Sequence, residues 1–296
     1  MRESDYLFNG EVGQYLGVIH ISAFIGLYFL SQVKYLTVIY YFFIFLFSSF
    51  AVNVGYHRLY SHKSYKSSLL LDLFYMFFGT ASTQISAIWW ARHHRTHHRN
   101  EEQEGDPYNI KKGFFHAHIG WLIKSNSKKE KEEIMKTDVS DLEKNIILKF
   151  QQDNIGILWF IVNFGISIVP LLWGETISNS IVSNLIRIIF NLHSTFSINS
   201  FAHSRNLFGT STLYNPNLNT VDSLLVSILT MGDGSHNYHH NFPKDYRSSN
   251  KFDFSPSTWF VYLMKYLGLT KNHYVKGDKD IPYDERFNLD YYQIEK

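Results

Sequence analysis

Three stretches of this chain carry no charged residue for long enough to cross a lipid bilayer. Residues 12–33, between Glu11 and Lys34, number 22, residues 35–56 number 22, and residues 154–174, between Asp153 and Glu175, number 21. A membrane-spanning helix needs about 20 such residues. A fourth apolar run, 177–203, contains Arg187. The runs form two pairs, each closed by a tight turn, one at Lys34 and one at Trp173-Gly174-Glu175-Thr176. The pattern predicts an all-α integral membrane protein with four transmembrane helices in two hairpins (about 12–33, 35–56, 154–174 and 177–203). Residues 57–153 and 204–296 form a helical cap, and 1–296 is read as one domain. The first run is too long for a secretory signal, and no small-residue cleavage site separates it from the next span.

Basic residues orient the spans. Of 28 Lys and Arg, Lys34 alone falls in the two short turns and Arg187 lies within a span. Arg58, Lys63, Lys66, Lys144, Lys149 and Arg205 all flank the opposite side, which is therefore expected to be cytoplasmic. The cap and both termini belong to that side. The surrounding membrane is expected to be a bacterial inner membrane or the endoplasmic reticulum. Residues 69–90 complicate the picture, being apolar but carrying Asp72, Thr80, Ser82, Thr83, Gln84 and Ser86. A crossing there would put HRLYSH (57–62) and HRTHH (94–98) on opposite faces of the membrane. The segment is read instead as a helix lying in or under the interface.

Composition narrows the chemistry. The formal net charge is +2, which points neither toward nor away from nucleic acid, and no nucleic-acid partner is expected. With no cysteine, the chain has no thiolate zinc site, disulfide or cysteine-held iron–sulfur cluster. The 15 histidines are the only soft nitrogen ligands, and most are clustered. His57 and His62 sit at the cytoplasmic end of the second span. His94, His97 and His98, and again His236, His239 and His240, share the spacing i, i+3, i+4, which gathers three imidazoles on one helix face. His203 ends the fourth span, with Asn199 one turn before it. His20, His93, His116, His118, His193 and His273 are read as ordinary packing or surface residues. Nine clustered histidines exceed the four ligands of one tetrahedral ion and suit two metals of higher coordination. Imidazole accepts zinc, copper, iron or nickel.

The residues around these clusters resemble the membrane acyl-CoA desaturases of the stearoyl-CoA type. The resemblance runs from about Val52 to Leu269 through GYHRLYSHKSYK (55–66), WARHHRTHH (90–98), DPYN (106–109), KKGFFHAHIGWL (111–122), SDLEK (140–144), WGET (173–176), TFSINSFAH (195–203) and GDGSHNYHHNFP (232–243). It implies a di-iron centre held by His57, His62, His94, His97, His98, His203, His236, His239 and His240, with Asn199 reaching one iron through a water. It also implies four spans, a cytoplasmic catalytic cap and a bent acyl tunnel. Gln84, Trp90 and Thr195 match residues that enclose the bend, and Arg92, Lys111 and Lys112 match positions near CoA phosphates. Four positions depart from the family pattern: His93 for Asp, Tyr108 for His, His193 for Asn and Asp233 for Glu. They bear on the hydrogen bonds that orient ligating imidazoles, for which Asp72, Asp106 and Asp233 are candidate acceptors.

The chemistry fits such a site. A methylene deep in an alkyl chain has no proton that a general base can take. Its hydrogen must leave to a metal-bound oxidant made from O2, and the protein must position the chain and exclude water. Neighbouring methylenes are chemically alike, so selectivity must come from positioning. Phe45, Ser49 and Tyr56 share a face of the aromatic-rich second span and are the candidate chain-length determinants. The expected reaction is insertion of a cis double bond, Δ9 by resemblance, into a saturated C16–C18 acyl-CoA. A membrane hydroxylase and an acyl-lipid desaturase are the enzymatic alternatives. A divalent-metal transporter would need ligands at mid-membrane, where the spans offer His20, Asn163, Arg187, Ser and Thr.

Two electrons per turnover must come from outside, from cytochrome b5 or ferredoxin with its reductase. The isolated protein is accordingly expected to be inactive with NAD(P)H and to turn over once reductase and carrier are added. Product formation and O2 uptake check this, and turnover by the chain alone contradicts it.

Overall fold

The computed structural model describes residues 11–30, 33–124, 126–205, 214–249 and 253–276. Both termini lie outside these residues, as does their expected cytoplasmic placement. In chain order the main helices are α1 (Glu11–Phe29), α2 (Tyr35–Phe50), α3 (Leu69–Ala81), α4 (Ala87–Asn100), α5 (Ile146–Asp153), α6 (Ile155–Ile168), α7 (Ile177–Ser200), α8 (His236–Asn241) and α9 (Pro256–Tyr266). Three helical stretches are long and apolar enough to cross a membrane: Tyr35–Ser61, Ile155–Trp173 and Ile177–Ser200. The first expected span, α1, is apolar over Val12–Tyr28 but shorter than these. Outward residues such as Phe24, Tyr28, Phe160 and Phe164 are exposed, as lipid-facing side chains are.

The two outer turns are locked by one carboxylate. Glu175 accepts from the Lys34 amide at 2.9 Å and the Thr37 hydroxyl at 2.8 Å. Its other oxygen accepts from Asn179 Nδ2 at 3.0 Å and the Thr176 amide at 2.9 Å. Burial raises the pKa of Glu175, but these donors outweigh it and hold the carboxyl at about 2. The WGET block is therefore a structural latch between the hairpins.

α2 does not stop at residue 56 but continues as a π-helix, Ala51–Ser61. The His62 amide closes onto His57 O at 3.2 Å. In an α-helix, residues five apart point about 140° away from each other. The wider turn brings His57 and His62 onto one side, so the i, i+5 spacing of HRLYSH matches a π-helix.

Residues 69–90 are not one helix along the interface. They form a helix–turn–helix hairpin, α3, residues 82–86 and α4, of which α3 runs antiparallel along the flank of α2. Phe47 meets Phe74 and Phe78, and farther down Ala81 joins Tyr41 and Ile44 in one cluster. Two glycines allow this approach. A Cβ on Gly55 would lie 2.6 Å from the Tyr75 ring, and one on Gly79 would lie 2.4 Å from the Tyr56 hydroxyl. α4 then returns, so HRLYSH and HRTHH share a side without the segment crossing.

Arg187, unexplained by sequence, ends up at the tip of this hairpin. Its guanidinium donates to Ala81 O at 2.6 Å, Asn163 Oδ1 at 2.8 Å and Asn184 Oδ1 at 2.5 Å. A charge out of contact with water must be hydrogen-bonded in this way to be tolerated. The cap closes over the far end through a short antiparallel pairing of Lys66–Ser67 with Thr270–Lys271. Phe260 of α9 stacks on Phe50 and Phe74.

The glycine contacts set a test. Gly79→Ala should lower stability by about 1–3 kcal/mol, the usual cost of overpacking. Gly156→Ala, where an added Cβ meets nothing within 4 Å, should be neutral or slightly stabilising. Thermal unfolding in detergent measures both, and equal midpoints would contradict the packing account.

Candidate metal centre and adjoining cavity

The nine histidines arrive from four places: the π-helical end of α2, α4, the segment after α7, and α8. Helical spacing brings His94 and His98 together on α4, and His236 and His240 on α8. The tertiary fold then sorts all nine into two groups. His57, His62, His94, His98 and His239 form one, with ligand-capable nitrogens within 4.8 Å of one another. His97, His203 and His240 form the second, joined by His236, whose Nε2 lies 3.0 Å from both His203 Nε2 and His240 Nε2. In the first group, His57–His239 and His62–His94 approach at 2.9 Å through Nε2, His98–His239 at 3.0 Å and His98–His94 at 3.1 Å.

The outward nitrogens explain why these are lone pairs that a metal could use. His57 Nδ1 donates to Asp233 at 3.1 Å and His97 Nδ1 to Asp106 at 2.9 Å. His94 Nδ1 lies 3.1 Å from the Tyr108 hydroxyl and His239 Nδ1 3.0 Å from Ser248 Oγ. An imidazole that donates from Nδ1 leaves Nε2 bare when neutral. Lone pairs packed at these distances repel, and His97 Nε2 is buried with no hydrogen-bond partner among the described residues. A cation in each group relieves both conditions, so the donor set fits metal ions of the kind that accept imidazole nitrogen.

Electrostatics keep the set ready. Burial pushes His62, His94, His98, His203, His236, His239 and His240 well below the usual imidazole range. Burial lowers His97 as well, but Asp106, with Glu101 and Glu102 behind it, outweighs burial and leaves it raised. Burial raises Asp233, yet Arg58 and His57 hold it at about 2. Arg58 donates to Asp233 Oδ1 at 2.6 Å and is itself fixed by Tyr246 O and Thr258 Oγ1.

Of the three acidic residues expected to bond clustered histidines, Asp106 and Asp233 do so. Asp72 does not: its carboxylate accepts from the Tyr60 and Ser67 hydroxyls, because α3 turns it toward the outside of the π-helix. Glu101 was missed by sequence reasoning. Its carboxylate lies 2.8 Å from His240 Nδ1 and 3.9 Å from His203 Nδ1, and burial lifts it to about 7. Its place three residues beyond HRTHH was the available signal. Among the departures from the family pattern, Tyr108 contacts His94 directly, whereas His93 stacks on Trp89 and bonds to its carbonyl.

An apolar cavity adjoins the first group. His94 and Asn199 line it, as do Gln84, Trp90, Thr195, Tyr15 and Trp121. Gln84 Nε2 donates to Thr195 Oγ1 at 2.7 Å, and Trp90 Nε1 donates to Gln84 Oε1 at 3.2 Å. These three expected bend residues are therefore brought together. Phe45, Ser49 and Tyr56 do not line this cavity. Phe45 borders a separate groove with Tyr41 and Phe190, Ser49 accepts from Asn191, and Tyr56 accepts from Gln151 behind α3. The wall of this cavity comes instead from α1, α4, α7 and the turn between α3 and α4.

The basic residues are engaged. Arg92 donates to Thr137 O at 2.9 Å and lies 3.7 Å from Glu143. Lys111 pairs with Glu102 at 3.2 Å, and Lys112 with Glu130. Both lysines border an open cleft with Asn100, Gln103 and Lys129. Three histidines outside the clusters form a separate chain: Ser200 Oγ to His118 at 2.8 Å, His118 to His193 at 2.9 Å and His193 to His20 at 3.0 Å. His20 closes it onto Leu16 O at 2.7 Å. Neutral tautomers satisfy the links among the three rings and Leu16 O, so the chain is a clasp between α1, α7 and residues 116–123.

Apolar spanning helices, with buried histidines in two groups against an apolar cavity, define a class of membrane protein whose histidines could hold metal beside a nonpolar pocket. The chain belongs to the fatty acid desaturase family, whose sequence pattern matches residues 20–249. It is 34% identical to stearoyl-CoA desaturase 5 of Bos taurus over 86% of this chain and 76% of that one. It is 38% identical to the Delta(9)-fatty-acid desaturase fat-6 of Caenorhabditis elegans over 78% and 68%, and 36% identical to an acyl-CoA Delta(11) desaturase of Choristoneura rosaceana over 79% and 69%.

The lowered histidines predict how the metal-free protein responds to acid. Below about pH 6.5 the unfolded chain takes up protons on these seven residues, while in the folded protein the same seven stay neutral. Stability should therefore fall as pH drops below that value, with His97 and the raised carboxyls of Glu101 and Asp222 acting in the opposite sense. Thermal scans in detergent with chelator between pH 7.5 and 5.5 measure it. A midpoint that holds or rises on acidification contradicts the account.

Proposed function

We propose that this protein is an acyl-CoA desaturase that introduces a cis double bond at Δ9 of a saturated C16–C18 chain, using O2 and two electrons from an external carrier. The observation that carries the reading is the contact between the first histidine group and the apolar cavity, through His94 and the Gln84–Trp90–Thr195 constriction. The names of the bovine and nematode relatives support CoA as carrier and Δ9 as position, and the moth relative makes Δ11 the other position to look for.

Two iron ions are the proposed occupants, one held by His57, His62, His94, His98 and His239 and the other by His97, His203, His236 and His240, with Asn199 acting through a water. Bound there, they supply oxidising power that no side chain has, enough to remove hydrogen from an unactivated methylene. The protein's own contribution is orientation and exclusion. Asp233, Asp106 and Glu101 hold ligand rings with their Nε2 atoms inward. The hydrogen-bonded Gln84, Trp90 and Thr195 fix the bend of the chain, and the apolar wall keeps water from the reacting carbon. Lys111 and Lys112, at the mouth of the open cleft, are proposed to exchange their carboxylate partners for CoA phosphates, with Arg92 supporting that wall. The proposed carriers are cytochrome b5 or ferredoxin with their reductases. The desaturase domain is taken as single, seated in an inner membrane or the endoplasmic reticulum with both termini cytoplasmic.

Expression in a cell lacking its own desaturase, with a competent electron donor, tests the proposal. New monounsaturated C16–C18 acids should appear and should be lost in His97→Ala. No new double bond, or products heavier by one oxygen, would overturn the reading in favour of no activity or of hydroxylation.

A further inference from the structure

The turn at the tip of the α3–α4 hairpin is held in a conformation its residues avoid. Thr83 has φ 67° and Ile85 has φ 64°, values uncommon for any residue but glycine and more so for β-branched ones. Such backbone persists only where its surroundings over-determine it. Thr83, Gln84 and Ile85 all line the apolar cavity, so the depth of this turn between the helices sets the shape of the cavity wall.

Three side chains from the spanning helices pin the turn. Trp159 Nε1 donates to Thr83 Oγ1 at 3.0 Å. Thr195 Oγ1 accepts from Gln84 at 2.7 Å. Arg187 donates to Ala81 O at 2.6 Å, a carbonyl left at the C-terminal end of α3 where the helix dipole is negative. Arg187 is outside the cavity lining, but it is the most heavily braced of the three. Asn163, Asn184 and Asn191 each offer it an oxygen. Asn191 is tied in turn to Ser49 of α2 at 3.0 Å, and Asn184 to Ser167 of the α6 stretch at 3.0 Å. The guanidinium thus joins α2, α6 and α7 to the end of α3 at one point.

We infer that Arg187 is a positioning residue that sets the depth of the Thr83–Gln84–Ile85 turn, and through it which methylene of the bound acyl chain lies against the histidine centre. The inference rests on the desaturase reading and adds to it the residue that governs where the double bond falls. Neighbouring methylenes differ only in position, and a displacement of about 1 Å changes reaction rates by up to about a hundredfold. A small shift of the turn is therefore read out as a change of isomer. Lysine keeps the charge but not the planar fork that spans several acceptors, so it restores the anchor only in part.

The test is Arg187→Lys and Arg187→Gln, expressed in desaturase-lacking cells beside wild type. Double-bond positions are read by mass spectrometry of derivatised fatty acids, and iron per chain is measured on the purified proteins. Iron content should be unchanged. The share of products with the double bond displaced by one or two carbons should rise roughly tenfold in the glutamine variant and less in the lysine variant. A wild-type isomer pattern in folded, iron-loaded variants overturns the inference. Thr83→Gly relaxes the same turn without touching the buried charge and covers the case in which Arg187→Gln does not fold. It should broaden the isomer pattern too, and an unchanged pattern in both Thr83→Gly and Arg187→Lys overturns the inference. Absence of any new double bond from wild type counts instead against the desaturase reading, and removes the ground of this inference with it.

Discussion

Everything in this molecule is arranged around lone pairs that have no reason to meet. The Nε2 atoms of His57, His62, His94, His98 and His239 converge to 2.9–3.1 Å between neighbours in a buried pocket, with Asp233 holding the Nδ1 proton of His57 on the outside. Without a cation that is an electrostatic cost, and the rest of the fold is what holds it in place. The π-helical end of α2 turns His57 and His62 to one side. Arg58 ties that segment to Asp233, and the Asp106 carboxylate fixes His97 on α4. A buried ion pair of this kind contributes little net stability but is expensive to break. That suits a site whose geometry matters more than its contribution to folding.

The second constraint is that the polypeptide has to enter the apolar layer and come back. The α3–α4 hairpin does so with α3 lying along α2, made possible by Gly55 against Tyr75 and Gly79 against Tyr56. The end of a helix in such surroundings leaves carbonyl groups that water cannot reach. Arg187 is the response. An arginine in a span looks anomalous until its partner is known, and the partner comes from a segment more than a hundred residues away in sequence. The hairpin also explains how two histidine clusters separated by an apolar stretch share a side.

The apolar cavity is a by-product of the same arrangement. It lies where α1, α4 and α7 diverge around the turn of the hairpin, and the clasp of His20, His193 and His118 closes the elements behind it. Its apolar wall and the hydrogen-bonded Gln84, Trp90 and Thr195 meet the histidine centre through His94 and Asn199. Histidine groups, cavity and long apolar helices are therefore one unit, since those helices also carry or brace the histidines.

The sequence by itself determined the helical membrane class, four apolar runs of which three are long apolar helices in the structure, and the nine clustered histidines. Those features are local: an unbroken apolar run or an i, i+3, i+4 spacing means the same thing wherever the chain goes. Asp106 and Asp233 were also legible as partners of histidine. Tertiary structure alone decided how nine imidazoles divide into two groups, that Glu101 and not Asp72 faces them, and that Phe45, Ser49 and Tyr56 stay out of the cavity. It also decided that residues 69–90 turn back on themselves and that Arg187 is matched to Ala81. Each of these depends on which elements pack together, and on where a carbonyl or a lone pair is left without water. No spacing along the chain encodes that.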